Sequence, residues 1–310
     1  MRSADILDAI GNTRLVGIPR MSPKPSVRLW AKLEGDNPTG SLKDRIAKKM
    51  IEVAEASGDL TPEKIILEAT SGNTGISLAM VARRKGYRLT VVLPDNASEE
   101  RVRLLELFGA EIVFSPGEKG TNGAIEVANA MARDDRYLLT FQYGNPANPL
   151  AHYEGTGEEI VRDLPQVTHF VAGLGTGGTL TGCGRRLKEH NPDVKVIAAE
   201  PELGELVYGL RSLDEGFIPP VLDESVLDRK FLVDSSEALR TTRELVVREG
   251  VFAGISSGAV IHVAQRIAAD LEEGDVVCLL ADGGWKYLST NAWGAELDRA
   301  EKGVEETLWW

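Results

Sequence analysis

The chain has 310 residues, 43% of them hydrophobic, and its 35 Lys and Arg against 47 Asp and Glu leave a formal net charge of −12. That length and composition fit two compact lobes or one large α/β domain with a full core, and they exclude a disordered chain. The acidic balance, with no run of like basic charges, excludes nucleic acid and anionic membrane surfaces as bulk partners. Residues 1–8 contain no apolar core with a cleavage site, and no apolar run approaches membrane-spanning length, so a cytoplasmic location is expected. The cysteines Cys183 and Cys278 lie far apart, and the four histidines have no metal-ligand spacing. Neither a disulfide framework nor a metal site is expected.

In chain order, residues 6–18 read as a short helix and a turn around Gly11-Asn12-Thr13, and residues 27–33 as a strand. Pro38 and Gly40 break that run, and the amphipathic pattern of residues 44–57, closed by Gly58, places Lys43 at the mouth of a helix. A lysine there is an anion clamp, a solvated charge, or an amine whose pKa burial has lowered so that it attacks a carbonyl. A nucleotide phosphate loop is excluded, because no spaced glycine precedes a Gly-Lys-Ser or Gly-Lys-Thr. Residues 64–68 have the length of a buried strand and feed Thr70-Ser71-Gly72-Asn73-Thr74-Gly75 ahead of a helix over 76–84. The unpaired N–H groups of such a turn suit a carboxylate or phosphate, although an ordinary capped turn has the same pattern. Further strands at 88–93, 111–114 and 137–141 alternate with helices at 98–108 and 124–133, which predicts βαβ units and a parallel sheet. The turn-rich residues 142–149 then return the chain to a second lobe, with Gln142 directly after a strand, where ligands collect.

The second lobe opens with a strand over 168–172, then Gly173-Leu174-Gly175-Thr176-Gly177-Gly178-Thr179 and a helix over 180–189. Its glycines let backbone close on an anion. Leu180 stands where a dinucleotide fingerprint needs its third glycine, so a single phosphate fits better, although Glu200 sits at a suitable distance. After a strand over 194–199, periodicity is lost between about Pro201 and Lys230, the mark of a lid or binding loop. Arg211 in that loop either pairs with Asp214 or Glu215 or forms a fork for a substrate phosphate. A helix over 235–249 leads to Gly254-Ile255-Ser256-Ser257-Gly258, which opens another helix; Ser256 there has the character of an N-cap. A last strand over 276–281 delivers Asp282-Gly283-Gly284-Trp285-Lys286-Tyr287-Leu288, and the chain closes in Leu308-Trp309-Trp310, expected to pack on this chain or a partner.

Together these stretches resemble the cysteine synthase branch of the fold-type II pyridoxal-phosphate enzymes, almost end to end. Asn37-Pro38-Thr39-Gly40-Ser41-Leu42-Lys43-Asp44-Arg45 resembles its lysine motif, residues 70–75 its substrate-carboxylate loop, Gly175 to Thr179 its cofactor phosphate cup, and residues 254–258 its segment facing the pyridine nitrogen. The resemblance implies two lobes, each a mainly parallel twisted sheet flanked by helices, as in tryptophan synthase β. It further implies a smaller mobile lobe over 40–146 and a larger cofactor-binding lobe over 1–39 and 147–310. By the same resemblance, Lys43 carries pyridoxal 5'-phosphate and acts as the base. Asn73 bonds the cofactor ring oxygen, Gly175, Thr176, Gly177, Gly178 and Thr179 hold its phosphate, and Ser256 meets its ring nitrogen. Thr70, Ser71, Gly72, Thr74 and Gln142 receive the substrate carboxylate. The context of Arg211, the Ala31-Lys32-Leu33-Glu34 segment, residues 283–288 and the Leu-Trp tail are similar to actinobacterial O-phosphoserine sulfhydrylases. That branch implies β-replacement on O-phospho-L-serine to make L-cysteine, with Arg211 on the donor phosphate. It also implies a small thiocarboxylated carrier protein as sulfur source, a tail directed to the cleft, and a homodimer. O-acetylserine sulfhydrylase with free sulfide is the neighbouring reading, followed by serine or threonine dehydratase and a non-catalytic binding protein.

Overall fold

The computed structural model describes residues 2–70, 72–290 and 292–293. The chain opens with β1 (Leu15–Gly17) and β2 (Val27–Leu33), then leaves to build β3 (Ile65–Ala69), β4 (Arg88–Pro94), β5 (Glu111–Ser115) and β6 (Tyr137–Leu139). It returns with β7 (His169–Gly173), β8 (Lys195–Pro201), β9 (Arg229–Val233) and β10 (Gly274–Leu280). Two sheets result, one of six strands in the order β1-β2-β10-β7-β8-β9 and one of four in the order β5-β4-β3-β6. Every pairing is parallel except β1 with β2.

Helices α1 (Lys43–Ser57), α2 (Asn73–Lys85), α3 (Glu99–Leu107) and α4 (Gly120–Met131) connect the strands of the smaller sheet. Helices α5 (Ala147–Ala151), α6 (Glu158–Asp163), α7 (Gly178–His190), α8 (Ser235–Glu249) and α9 (Ile255–Asp270) belong to the return, with a π-helical turn, His152–Gly157, between α5 and α6. Parallel strands covered by helices on both faces read as unbroken apolar runs, and all five residues of β3 are buried. In the larger sheet Phe170, Val171, Ile197, Val276, Val277 and Cys278 are at most 1% exposed, each large side chain contributing about 1.5–3 kcal/mol of burial. Both cysteines are free and buried. No helix among the described residues is long and apolar enough to cross a membrane.

The expected alternation is present, with informative differences at its edges. The strand expected over 137–141 stops at Leu139, because Phe141 takes a left-handed φ of 45° that no continuing strand accommodates. The helix expected from 124 begins at Gly120, its first turn hidden in the turn-like Gly120-Thr121-Asn122-Gly123. Within the aperiodic stretch 201–230, short 3-10 turns occur at Leu213–Glu215 and Glu224–Val226, and β9 already begins at Arg229. β9 is an edge strand with mostly exposed residues, which weakens its apolar signal.

Candidate active site

Five segments that matter for chemistry leave the carboxyl ends of parallel strands: residues 34–43 after β2, 70–75 after β3, 140–142 after β6, 174–179 after β7 and 281–287 after β10. Parallel sheets collect ligands on that side. Lys43 is the first residue of α1, and burial pushes its amine down to about 8, against the opposing pull of the Asp282 and Glu68 carboxylates. Two neighbours set the helix start. Asp44 accepts from the Thr39 N–H at 2.7 Å and from the Thr39 hydroxyl, while Arg45 reaches Glu34 at 2.6 Å and Glu159 at 2.6 Å.

Beside Lys43, the loop after β3 is tied down by the Gly72 N–H donating to Thr70 Oγ1 at 3.1 Å. Thr74 donates to Gln142 Oε1 at 2.7 Å, which joins this loop to the end of β6. The left-handed Phe141 turns the chain so that the Gln142 N–H meets the buried Glu68 carboxylate at 3.2 Å, alongside the Thr140 hydroxyl at 2.6 Å. Burial raises the Glu68 carboxyl to about 7, with those donors pulling the other way.

The segment after β7 is built for close approach. Gly177 has a φ of 81°, and a Cβ on Gly178 would lie 2.0 Å from Asn148 Oδ1, so both positions need glycine. Gly178 starts α7, its N–H donating to Thr176 Oγ1 at 3.3 Å, and the positive end of that helix lies at this loop. Asn148 Nδ2 donates to Gln142 O at 2.8 Å and Thr176 Oγ1 at 3.0 Å, linking the two loops, while its Oδ1 is buried with no partner. Lys43, Asn73, Gly175, Thr176, Gly177, Thr179 and Ser256 line one cavity. Ser256 sits in the first turn of α9, where Gly254 and not Ser256 is the N-cap, and it forms part of this cavity's wall. Thr179 Oγ1 is 3.2 Å from His152 Nε2.

A second cavity continues from Lys43 past Thr70, Gly72, Thr74 and Gln142 to Arg211. Arg211 is 6% exposed, and its guanidinium lies 5.3 Å from the Tyr143 ring centre and 4.9 Å from that of Phe217. It faces rings, where pairing with Asp214 or Glu215 was the simpler expectation; the Glu215 side chain lies outside what is described. Ser71 and Leu308-Trp309-Trp310 lie outside the described residues.

A family model described as "Pyridoxal-phosphate dependent enzyme" matches residues 6–283. The chain belongs to this family. Cysteine synthase B of Salmonella typhimurium is 43% identical over 288 residues, which cover 93% of this chain and 95% of that one. The crystal structure of an O-ureido-L-serine synthase matches with a TM-score of 0.90 and 40% identity over 96% of this chain and 97% of that one. A cysteine synthase from Entamoeba histolytica matches with a TM-score of 0.91 and 32% identity over 98% of this chain and 96% of that one.

The cavity fits the family's cofactor. A lysine of depressed pKa stands at one end, and at the other a glycine cradle on a helix N-terminus suits a phosphate. Pyridoxal phosphate is therefore the cofactor of this enzyme. Sequence reading had not singled out the network behind Asn73. Asn73 Nδ2 donates to Asp282 Oδ2 at 2.7 Å, Lys286 Nζ donates to Asn73 Oδ1 at 2.7 Å, and the Tyr287 hydroxyl donates to Asp282 Oδ2 at 2.6 Å. Asn148, Glu68 and Arg101 were missed as well. The acidic residue after the last apolar strand was the available signal for Asp282; the others carry none.

Proposed function

We propose that this enzyme is a cysteine synthase that replaces the phosphate of O-phospho-L-serine with sulfur. Its relatives named as cysteine synthases support the reaction class. The observation that carries the donor is Arg211, a buried guanidinium stacked on Tyr143 and Phe217 in the same cavity as Lys43. The ring contacts hold its planar fork in the cavity, which suits a dianionic leaving group better than a neutral ester.

Bound here, pyridoxal phosphate supplies a sink for the negative charge that develops at the substrate Cα. The protein's own residues do the rest. Gly175, Thr176, Gly177, Gly178 and Thr179 hold the phosphate, Asn73 and Ser256 orient the ring, and Thr70, Ser71, Gly72, Thr74 and Gln142 receive the α-carboxylate. The Lys43 amine would take the Cα proton, for which a pKa of about 8 keeps a useful fraction neutral near pH 7. The Cβ–O bond breaks with its electron pair leaving on phosphate, beside Arg211. A Cβ–S bond then forms, and the Lys43 ammonium returns the proton to Cα.

For the sulfur we propose the C-terminal thiocarboxylate of a small carrier protein. Its sulfur bonds Cβ while its acyl group stays attached, so that the immediate product is a carrier-bound cysteine and free L-cysteine requires a later hydrolysis of that acyl bond by water. The route for that C-terminus is the neighbouring cavity of about 490 Å³, walled in part by Leu104, Leu107, Phe108 and Trp285 and sharing Asn73, Arg101, Tyr208 and Tyr287 with the substrate cavity, which suits a peptide with an apolar stem. A homodimer, with the smaller lobe closing on substrate, completes the proposal.

The deciding experiment titrates the cofactor-loaded enzyme with O-phosphoserine and O-acetylserine and follows the visible absorption of the bound cofactor. Faster conversion with phosphoserine, lost in Arg211→Ala, is the expected result. Conversion by acetylserine alone overturns the donor, and no cofactor absorption in the loaded protein overturns the mechanism.

A further inference from the structure

Asn73 begins α2 on the four-stranded sheet's side of the cleft, yet its amide is held from the six-stranded side. Both partners come from the segment after β10: Lys286 Nζ donates to Asn73 Oδ1 at 2.7 Å, and Asn73 Nδ2 donates to Asp282 Oδ2 at 2.7 Å. That segment is fastened on two sides. The Leu42 N–H donates to Ala281 O at 2.9 Å and the Gly283 N–H to Gly40 O at 3.1 Å, which ties it to the loop before Lys43. The Gly254 N–H donates to Asp282 O at 3.0 Å, which ties it to the turn before Ser256. Lys286 also lies against the lysine loop, since Gly40 has a φ of 80° and a Cβ there would stand 3.2 Å from Lys286 Cε. The grip on Asn73 is thus built on the same base as Lys43 and Ser256.

The chemistry of the two partners fixes which way the amide faces. An ammonium has donors only, so the oxygen of Asn73 must face Lys286. Asp282 Oδ2, which also accepts from the Tyr287 hydroxyl at 2.6 Å, must face the nitrogen. With Oδ1 engaged and one Nδ2 hydrogen given to Asp282, the amide has one N–H left for a ligand. A cation on the amide oxygen polarises the group and strengthens that donor. Burial opposes the charge of Lys286, the Asp282 and Asp44 carboxylates favour it, and Arg101 repels it. We propose that Lys286 is a positioning residue that locks Asn73 as a hydrogen-bond donor, so that the ring oxygen of bound pyridoxal phosphate is held in its negatively charged form. This rests on the reading of Asn73 as the partner of that oxygen and names what orients it. An amide without such partners turns either end to a ligand, and only its nitrogen suits a charged oxygen.

The test uses Lys286→Met, which removes the donor and keeps an unbranched side chain, with Lys286→Arg as the conservative variant. Two readouts apart from activity are taken. One is the apparent Kd for pyridoxal phosphate added back to the cofactor-free chain. The other is the absorption spectrum of the loaded enzyme, where a charged ring oxygen absorbs at longer wavelength than a protonated one. Lys286→Met should weaken the Kd by about 10-fold, the size of one hydrogen bond made to a charged group, and move part of the absorption to shorter wavelength. Lys286→Arg should restore most of both. Unchanged values in Lys286→Met overturn the proposal. So does a lowered melting temperature of the cofactor-free protein with an unchanged spectrum of the loaded one, which assigns Lys286 to the fold. Asn73→Ala checks the underlying reading. If it alters neither readout, Asn73 does not meet the ring oxygen and the proposal falls with that reading. If it alters both, Lys286→Met added to it should change nothing further, and an undiminished effect in the double variant overturns the lock while the Asn73 reading stands.

Discussion

Two groups of charged side chains lie within a few residues of Lys43, and they are built on opposite terms. In the first, Lys32, Glu34, Arg45 and Glu159 have side chains no more than 7% exposed, and two cations meet two carboxylates at 2.6–2.8 Å. The remaining hydrogen-bonding capacity is also used: Lys32 donates to Thr13 O at 2.8 Å, Asn37 to Glu34 Oε2 at 3.0 Å, and the Asn12 N–H to Glu159 at 2.8 Å. The second group, Lys43, Arg101 and Arg211, lines a cavity with no acidic wall residue among those described. Charge buried with matching partners fixes geometry, here the angle at which α1 leaves β2 and hence the position of Lys43. The second group instead lines the cavity that holds the loop after β3, where cationic side chains suit an anionic ligand.

The comparison breaks most visibly at Lys43 itself. Lys43→Ala should lower the β-replacement rate by at least about 10²–10⁴-fold, the range for losing a positioned acid–base group. Its melting temperature without cofactor should hold or rise, because burial already opposes the lysine's charge. Single-turnover kinetics with either donor and a thermal melt measure the two. A variant that kept its rate would remove Lys43 from the chemistry.

Arg45, two residues on, should behave in reverse. Arg45→Ala leaves Glu34 and Glu159 buried against a single remaining cation, Lys32, and should cost about 3–5 kcal/mol of stability, read as a lowered urea midpoint. A midpoint within error of the wild type would mean that the cluster relaxes or hydrates without penalty, and the contrast between the two groups would fail.

Much of this architecture was legible in the sequence for local reasons. Strands buried on both faces, such as β3 and β10, leave contiguous apolar runs, and the helices before Gly58 and Gly250 end where a left-handed cap is required. The loops at 70–75 and 173–179 were readable because strand, glycine turn and helix are adjacent in the chain. What escaped was created by contact between distant segments. Asn73 meets Asp282 across 209 residues, and Asn148 reaches Thr176 from a turn that sequence alone marks only as a connection. Glu68 looked like one more residue of a buried strand, and Arg101 like one of several charges on an amphipathic helix. Arg45 was part of a recognised motif, yet its partner Glu159 lies 114 residues away, in a helical stretch hidden by Asn-Pro-Ala-Asn-Pro.

The smallest expected effect is the sharpest test of the contrast, because it compares two buried glutamates. Glu159, bonded to Arg45 and Lys32, falls to about 2 from an ordinary 4.5 despite its burial. The unfolded chain then binds the proton first, so the stabilisation from Glu159 is complete above 4.5 and is lost as pH falls from there toward 2. Glu68 rises to about 7 from the same 4.5, since burial outweighs its donors and the nearby Lys43. The folded chain now binds the proton first, so its contribution is complete below 4.5 and is lost as pH rises toward 7. Urea midpoints of the cofactor-free protein between pH 5 and 7 should therefore fall with rising pH through the Glu68 contribution, and Glu68→Gln, which keeps an acceptor for Thr140, should flatten that slope. Glu159→Gln should leave the slope in that window in place while lowering stability throughout it. If the two variants changed the slope alike, matched and unmatched burial of these two carboxylates would be equivalent in this protein, and the contrast between the two groups would fail.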